Sequence, residues 1–459
     1  MTVLHHALIF FGLYIAALLY ISWRSKPDAE GHGYIMGNRS LGLFDIIGTM
    51  ISYYRMGSAV IFWFIFVQLM GFGALWVMVP FYSMMVVMAL CAPYVHRIGL
   101  EKNYLTMNDM IRDRMGPTAE HWSNAYSIYI ALVAIASQLF ITGVIMGGLF
   151  GIGHAMGVFA GVAVVLVYVV IGGFLSVVRT DVFQAVIMVV IAIGALLFIE
   201  WPERDIIITQ MGNPKWDFLL PFSLLLFVVP AHMDIWQRYF ACKNGRVARN
   251  GSLLALPIDA INVLGMVLFF TYLGGMAATG IDAQQIFIDL FYGRTDETNA
   301  LVIALFGVFV MSAMLSTVDN QVLFCGSVIL KNIMGIDPEY DRKRFVRNLR
   351  ILTPVILLSL AALSLTIENL FRWFVDSYGF IGTLTPLVFY TLIKANGDTR
   401  FTAWIISTGL TITVVTYWTL FIMGYFANTY WFALPYGLAI LTCATDWTAH
   451  RLIKSQSTR

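Results

Sequence analysis

The stretch LFDIIGTMISYYRMGSAVIFWFIFVQLMGFG, residues 43–73, decides how the chain folds. It is long enough to span a bilayer and mostly apolar, yet Ser52-Tyr53-Tyr54-Arg55-Met56-Gly57-Ser58 puts a polar island and a glycine at its middle. A lipid-embedded helix must satisfy its own backbone, so such an island marks a break that neighbouring protein or an aqueous cavity supports. A second interruption stands in 217–239. There Pro230-Ala231-His232-Met233-Asp234 removes a backbone donor and crowds the preceding turn.

These two runs belong to a chain that is apolar throughout. Of its 459 residues, 59% are apolar and 12% charged, against roughly 45–50% and about 25% in soluble domains. A soluble globular enzyme is excluded. The apolar content suffices for roughly thirteen spans of about 20 residues, and apolar runs fall near 4–22, 43–73, 75–96, 122–150, 154–176, 181–200, 217–239, 251–278, 297–330, 351–367, 370–393, 402–424 and 429–450. Runs this long and uniform are helices rather than barrel strands. The expectation is an all-α integral membrane protein of about thirteen transmembrane helices, one polytopic domain over 1–459. Leu4 to Trp23 reads as a retained span, with no basic residue before it and no small-residue cleavage site after it. Cys91, Cys242, Cys325 and Cys443 lack paired spacing, so neither a disulfide framework nor a metal knuckle is expected.

The 28 basic residues crowd into the loops that follow odd-numbered spans. The opposite side holds only Arg204, Lys215, Arg294 and Arg372, and Arg55 lies within a span. The positive-inside rule then sets the N-terminus outside and the C-terminus in the cytoplasm of a cell (inner) membrane. The basic run at 341–350 reads as a solvated cytoplasmic face rather than a partner site.

Five spans separate the two interruptions, and five is odd. If each opens a five-helix unit, spans 2–6 (43–200) and 7–11 (217–393) are repeats of opposite topology, with 1–42 and 402–459 peripheral. Matched interruptions in inverted repeats are where secondary transporters bind solute; the alternative is a pair of ordinary packing kinks. Span 9 adds a third polar patch, where Ser312, Ala313, Ser316, Thr317 and Asn320 share a helical face. Such residues serve either as helix-packing glue or, with carbonyls of the interrupted span 2, as oxygen ligands for a hard cation.

Four signatures resemble the sodium:solute symporter family of sodium-coupled proline, sugar and sialic acid carriers. They are Tyr34-Ile-Met-Gly-Asn-Arg-Ser-Leu-Gly42, Gly172-Gly-Phe-Leu-Ser-Val-Val-Arg-Thr-Asp-Val-Phe-Gln184, Gln237-Arg-Tyr-Phe-Ala241 and the span-9 patch from Ser312 to Asn320. The resemblance implies a leucine-transporter-like inverted repeat and transport by alternating access. It implies a sodium site from Ala313, Ser316 and Thr317 with the backbone carbonyls of Ser52 and Arg55. It also makes Asp181 an acid of the inner ion route; read locally, Asp181 fits a helix N-cap. Tyr54 falls where proline carriers have an aspartate, so the span-2 half of the site has lost an acid and gained Arg55.

Arg55 has three readings: it displaces the cation, it binds an anionic solute, or it pairs structurally with Asp319 or Asp259. His232 stands six residues before Arg238, where sugar-carrying relatives contact substrate; the plainer reading is a neutral histidine packed in the break. Tyr53, Tyr54, Gln138, Trp236, Ser377 and Tyr378 complete the candidate solute set. Together these suggest symport of a small, carboxylate-bearing solute with Na+. Proton-coupled or sodium-independent transport and a solute sensor are the alternatives, the sensor being weakened because the sequence ends at Arg459 with no signalling module. Neither HExxH nor GxxxxGK[ST] occurs and no nucleophile–base pair is apparent, so no enzyme is expected. The expected partners are the solute and the bilayer, without nucleic acid, organic cofactor or an obligate protein partner.

Overall fold

Helices dominate the computed structural model, which describes residues 2–25, 36–55, 57–274, 283–292, 299–338, 340–394, 400–427 and 429–457. No strand forms among these residues, and one isolated backbone bridge joins Leu41 to Cys242. Tyr34 and Ile35 of the first signature, Met56 of the span-2 island and Arg294 lie outside the described residues.

The first long helix, α1 (Val3–Arg24), precedes the interrupted span, which folds as α2 (Leu43–Tyr54) and α3 (Gly57–Met70). A 3-10 stretch, Gly71–Val77, leads directly into α4 (Met78–Glu101). The expected loop over 97–121 contains a capped helix of its own, α5 (Met107–Met115), and α6 (Pro117–Phe150) follows. Spans 5 and 6 form one long element, α7 (His154–Phe198), broken where Gly173 takes φ 63°. That left-handed backbone is one glycine adopts without a side-chain clash.

The second half begins with a short helix unforeseen in the sequence, α8 (Arg204–Gly212), and then α9 (Trp216–Leu225). Pro230 sits in a 3-10 turn, Leu226–Ala231, and His232 is extended before α10 (Met233–Ala241) restarts. Next come α11 (Gly245–Gly274), α12 (Ala283–Tyr292), α13 (Ala300–Ser327) and α14 (Arg342–Ser364). Span 11 is divided into α15 (Leu370–Gly382) and α16 (Thr385–Ile393), and α17 (Arg400–Ile422) and α18 (Ala433–Ser457) end the chain.

Eight helices among the described residues are long and apolar enough to cross a membrane. The count is nine if α8 and the α9 segment, bent by 59° at their junction, make one span. Helix length and composition therefore do not return the expected thirteen. The runs at 43–73, 217–239 and 370–393 are interrupted, and the helix His154–Val170 is short.

Elements five spans apart pack on each other: α4 against α11, and α6 against α13, with α7 beside α13 as well. The two broken spans meet at one end. There Leu41 N–H donates to the Ala241 carbonyl at 3.1 Å and Lys243 N–H donates to the Leu41 carbonyl at 3.0 Å. Arg39 Nη1 adds a bond to the Phe240 carbonyl at 3.2 Å. Along its length α2 lies so close to α7 that a Cβ on Gly48 would stand 2.7 Å from Val182 Cα. Only glycine permits that approach without a backbone shift.

Candidate functional site

The break in span 2 begins where α2 ends, with Arg55 out of helical geometry at φ −101°, ψ 35°. A helix end leaves its last carbonyls without intrahelical donors, so backbone oxygens become available near the middle of the molecule. The Arg55 side chain is fully buried and pairs with Asp259 on α11, Nε to Oδ1 at 2.6 Å and Nη2 to Oδ2 at 2.7 Å. The Tyr82 hydroxyl from α4 donates to the same Oδ2 at 2.8 Å. The guanidinium also lies 5.6 Å from the Trp63 ring centroid and 6.0 Å from that of Phe81. Of the two acids considered from sequence, Asp259 is the partner. Asp319 instead accepts from the Tyr168 hydroxyl at 2.9 Å and from its neighbour's amide, Asn320 N–H, at 2.7 Å.

A cavity of about 100 Å³ opens between the two breaks. From α2 it is lined by Tyr53 and Tyr54, with Arg55 beside them; from span 7 by Phe222, Val229 and His232; and from α15 by Phe374 and Tyr378. Five sequence-derived candidates therefore converge on it: Tyr53, Tyr54, Arg55, His232 and Tyr378. The other three do not line it. Trp236 is fully buried and donates its Nε1–H to the Pro230 carbonyl at 2.9 Å, which satisfies an acceptor freed by the proline break. Ser377 accepts from the Tyr129 hydroxyl at 3.3 Å, and Gln138 is buried within α6. The reason is helix phase: Trp236 turns into the packing behind the break, while Ser377 is one residue out of step with Tyr378.

Arg55 and His232 both line the cavity, and Arg55 Nη1 and both His232 ring nitrogens are buried without a hydrogen-bond partner. His232 Nδ1 is 3.9 Å from Asp234 Oδ1. Edge contacts from Tyr53 and a tilted contact with Tyr378 hold the imidazole at centroid distances of 6.1 and 5.5 Å. The aromatic wall, including Phe62, Trp63, Phe81 and Phe374, was not anticipated from sequence. In the sequence these residues look like ordinary apolar span positions, and only the packing of their helices brings them to one space.

A second cluster lies deeper, among α2, α7, α10 and α13. Ser316 Oγ and Thr317 Oγ1 both donate to the Ala313 carbonyl, at 3.3 and 3.1 Å, which leaves their oxygen lone pairs available. Ala313, Ser316 and Thr317 are all buried, and α13 packs against α2. Ser52 Oγ donates to the Asp181 carbonyl at 3.0 Å. Asp181 is not a helix cap: α7 restarts near Gly173, and Asp181 lies inside the continuing helix. Its carboxylate accepts from Thr49 Oγ1 at 2.6 Å and from Asn320 Nδ2 at 3.0 Å.

Arg238 closes the cluster. Its Nη1 bonds Asp234 Oδ2 at 2.8 Å, its Nε bonds Thr49 Oγ1 at 2.7 Å, and its Nη2 is 3.6 Å from Asp181 Oδ2. The Arg238–Asp234 spacing of four residues is a signal that the sequence carried and that reading individual motifs passed over. Two buried carboxylates, Asp181 and Asp234, thus share one guanidinium, and a third, Asp319, lies next to them through Asn320, whose Nδ2 donates to both Asp181 and Asp319. Uncompensated buried charge is costly, so the cluster favours acquiring positive charge. No group of three or more His, Cys, Asp or Glu side chains suited to a metal occurs among the described residues. The oxygens here are hydroxyls, carbonyls and single carboxylates, a donor chemistry that suits a hard cation better than a soft one.

Known proteins resemble this chain in sequence and in fold. Residues 34–200 match the model of the sodium:solute symporter family. The sodium/pantothenate symporter of Haemophilus influenzae is 26% identical over 353 residues, spanning 71% of this chain and 70% of that protein. Among solved structures, the substrate-bound outward-open state of a Na+-coupled sialic acid symporter superposes with a TM-score of 0.78 at 11% identity, covering 96% of each chain. A nucleobase-cation-symport-1 family transporter, closed with bromovinylhydantoin bound, gives a TM-score of 0.58 at 13% identity, covering 94% of this chain and 96% of that one. At these identities the structural likeness establishes the leucine-transporter-like fold. The chain is a multi-pass membrane protein that resembles the sodium:solute symporter family through residues 34–200 and shares its fold with a Na+-coupled sialic acid symporter over nearly its whole length, and the proteins it resembles are transporters rather than enzymes.

Proposed function

We propose that the protein is a sodium-coupled symporter of a small, carboxylate-bearing solute, working by alternating access. The observation that carries this reading is the cavity between the two broken spans, lined by Arg55 and His232, whose Nη1 and ring nitrogens are buried without a partner. A solute carboxylate supplies the acceptor that Nη1 lacks, and His232 donates or accepts beside it. Sodium is carried as co-substrate, held by the hydroxyls of Ser316 and Thr317, the Ala313 carbonyl and the carbonyls of Ser52 and Arg55. Asp181 lies on its route inward. Solute anion and sodium cation then enter together, and neither leaves an uncompensated charge behind.

The repeats at 43–200 and 217–393 support the rocking expected of this architecture. Sodium between α2 and α13 ties a moving broken helix to a long packed one and favours the outward-open state. Affinities for ion and solute are in consequence reciprocally linked. The Lys/Arg distribution supports an outside N-terminus, a cytoplasmic C-terminus and residence in the cell (inner) membrane.

The test is uptake of a radiolabelled panel of organic acids and amino acids into proteoliposomes, with external sodium replaced by choline or potassium. The expected result is concentrative uptake that requires sodium and survives a protonophore at constant sodium gradient. Uptake indifferent to sodium but abolished by the protonophore refutes the sodium reading and points to the excess buried carboxylates as proton acceptors.

A further inference from the structure

Rings make up the larger part of the wall of the cavity that the proposed function assigns to the solute, with aliphatic side chains such as Met85, Leu225, Val228 and Val229 between them. Phe62 and Phe374 approach to 4.3 Å between centroids, and Phe374 stacks on Tyr378 at 3.6 Å. Trp63 and Phe81 flank the Arg55 guanidinium, and Phe222 closes the side toward span 7. Polar capacity is scarce by comparison. Tyr54 spends its hydroxyl on the Ser252 carbonyl at 3.1 Å, and Arg55 Nε and Nη2 are held by Asp259. What remains unpaired on charged or imidazole side chains is Arg55 Nη1 and the two nitrogens of His232.

From this distribution we infer that the solute is an arylalkyl monocarboxylate: one flat ring, a short linker and a single anionic head, with few or no hydroxyls. The inference rests on the reading of this cavity as the solute site. A polyhydroxylated acid would bury hydroxyls against ring faces, and each one left without a partner lowers affinity by roughly tenfold or more. A ring instead gains offset and edge-to-face contacts with the wall. The head goes to Arg55 Nη1, at the edge of a guanidinium already fixed in orientation by Asp259 and stacked between rings. Arg55 is thereby a specificity determinant for the anion, and the Phe374–Tyr378 stack for the ring.

The test uses the full-length protein in detergent with sodium present and measures the affinities of phenylacetate, gluconate and phenylacetamide by calorimetry. Phenylacetate is expected to bind at least tenfold more tightly than gluconate and than phenylacetamide. The variant Phe374→Leu, which keeps the site apolar, is expected to weaken phenylacetate severalfold while leaving its preference over phenylacetamide intact. The double variant Arg55→Gln/Asp259→Asn, which removes both charges together, is expected to erase that preference while retaining ring binding. Gluconate binding as well as or better than phenylacetate overturns the ring assignment and leaves the acid reading standing. Phenylacetamide equal to phenylacetate overturns the acid reading and leaves the ring assignment standing. Failure of all three to bind, in protein that still binds sodium, overturns the inference.

Discussion

Arg55→Ala is expected to lower stability by about 3–5 kcal/mol, because it strands the fully buried Asp259 carboxylate without its partner. The lost pair is bidentate, and Tyr82 cannot replace it, since one hydroxyl donor does not neutralise a charge. Thermal unfolding of purified protein reads the effect directly. Removing both charges, as in Arg55→Gln/Asp259→Asn, is expected to recover most of the loss, because a neutral amide pair needs far less compensation when buried. Asp259→Asn alone is expected to resemble Arg55→Ala, with a buried guanidinium left over instead. Equal stability of Arg55→Ala and wild type would mean that water reaches the pair and that the break is open at this level.

Arg238→Ala is expected to be at least as damaging. Asp181, Asp234 and Asp319 would share a buried region without any cation, and Thr49 would lose the guanidinium that accompanies its bond to Asp181. Little folded protein should be recovered from membranes at neutral pH. Arg238→Lys keeps the charge but not the three-way geometry that one guanidinium provides, so partial recovery is expected. The charge count makes a further distinction. Asp234→Asn removes one carboxylate from a cluster that has too many, so it should be tolerated better than Arg238→Ala by several degrees in thermal midpoint. The reverse order would show that the Arg238–Asp234 pair, rather than the excess of acids, governs this region. Saturating sodium is expected to raise the midpoint of the wild type and of Asp234→Asn, since a cation bound to the native state stabilises it by mass action.

The interruptions were legible because they violate a strong rule. The polar island around Arg55 and the Pro230-Ala231-His232 run disturb otherwise apolar spans, and the chain leaves α-helical geometry at both places. The span-9 oxygens were legible from helical spacing alone. Less legible was anything that depends on which helix faces which. Arg55 had two acids in reach by sequence, and only the packing of α2 against α11 selects Asp259. Asp181 looked like a cap because the sequence divides spans 5 and 6 just before it. The backbone instead breaks earlier, at Gly173, and leaves Asp181 inside a helix facing Thr49 and Asn320.

The aromatic wall was illegible for a related reason. Phe62 and Trp63 carry no pattern that separates a cavity lining from a packed span, and their place in the wall follows from which helices meet there. Conversely Gln138, Trp236 and Ser377 had suitable chemistry on suitable spans, and their helix phase turns them elsewhere. The short helices α5, α8 and α12 fall in segments read as loops, since pieces of about ten residues carry too little periodicity to stand out.

Sodium coupling requires that the cluster at α2 and α13 hold sodium, and equilibrium binding of radiolabelled sodium to the purified protein addresses this without knowledge of the solute. Wild type is predicted to bind sodium saturably against a background of potassium. Thr317→Ala and Ser316→Ala should each weaken that binding by tenfold or more while the protein remains folded. Saturable binding that neither substitution alters, or its absence in folded wild-type protein, would contradict the sodium-coupled mechanism.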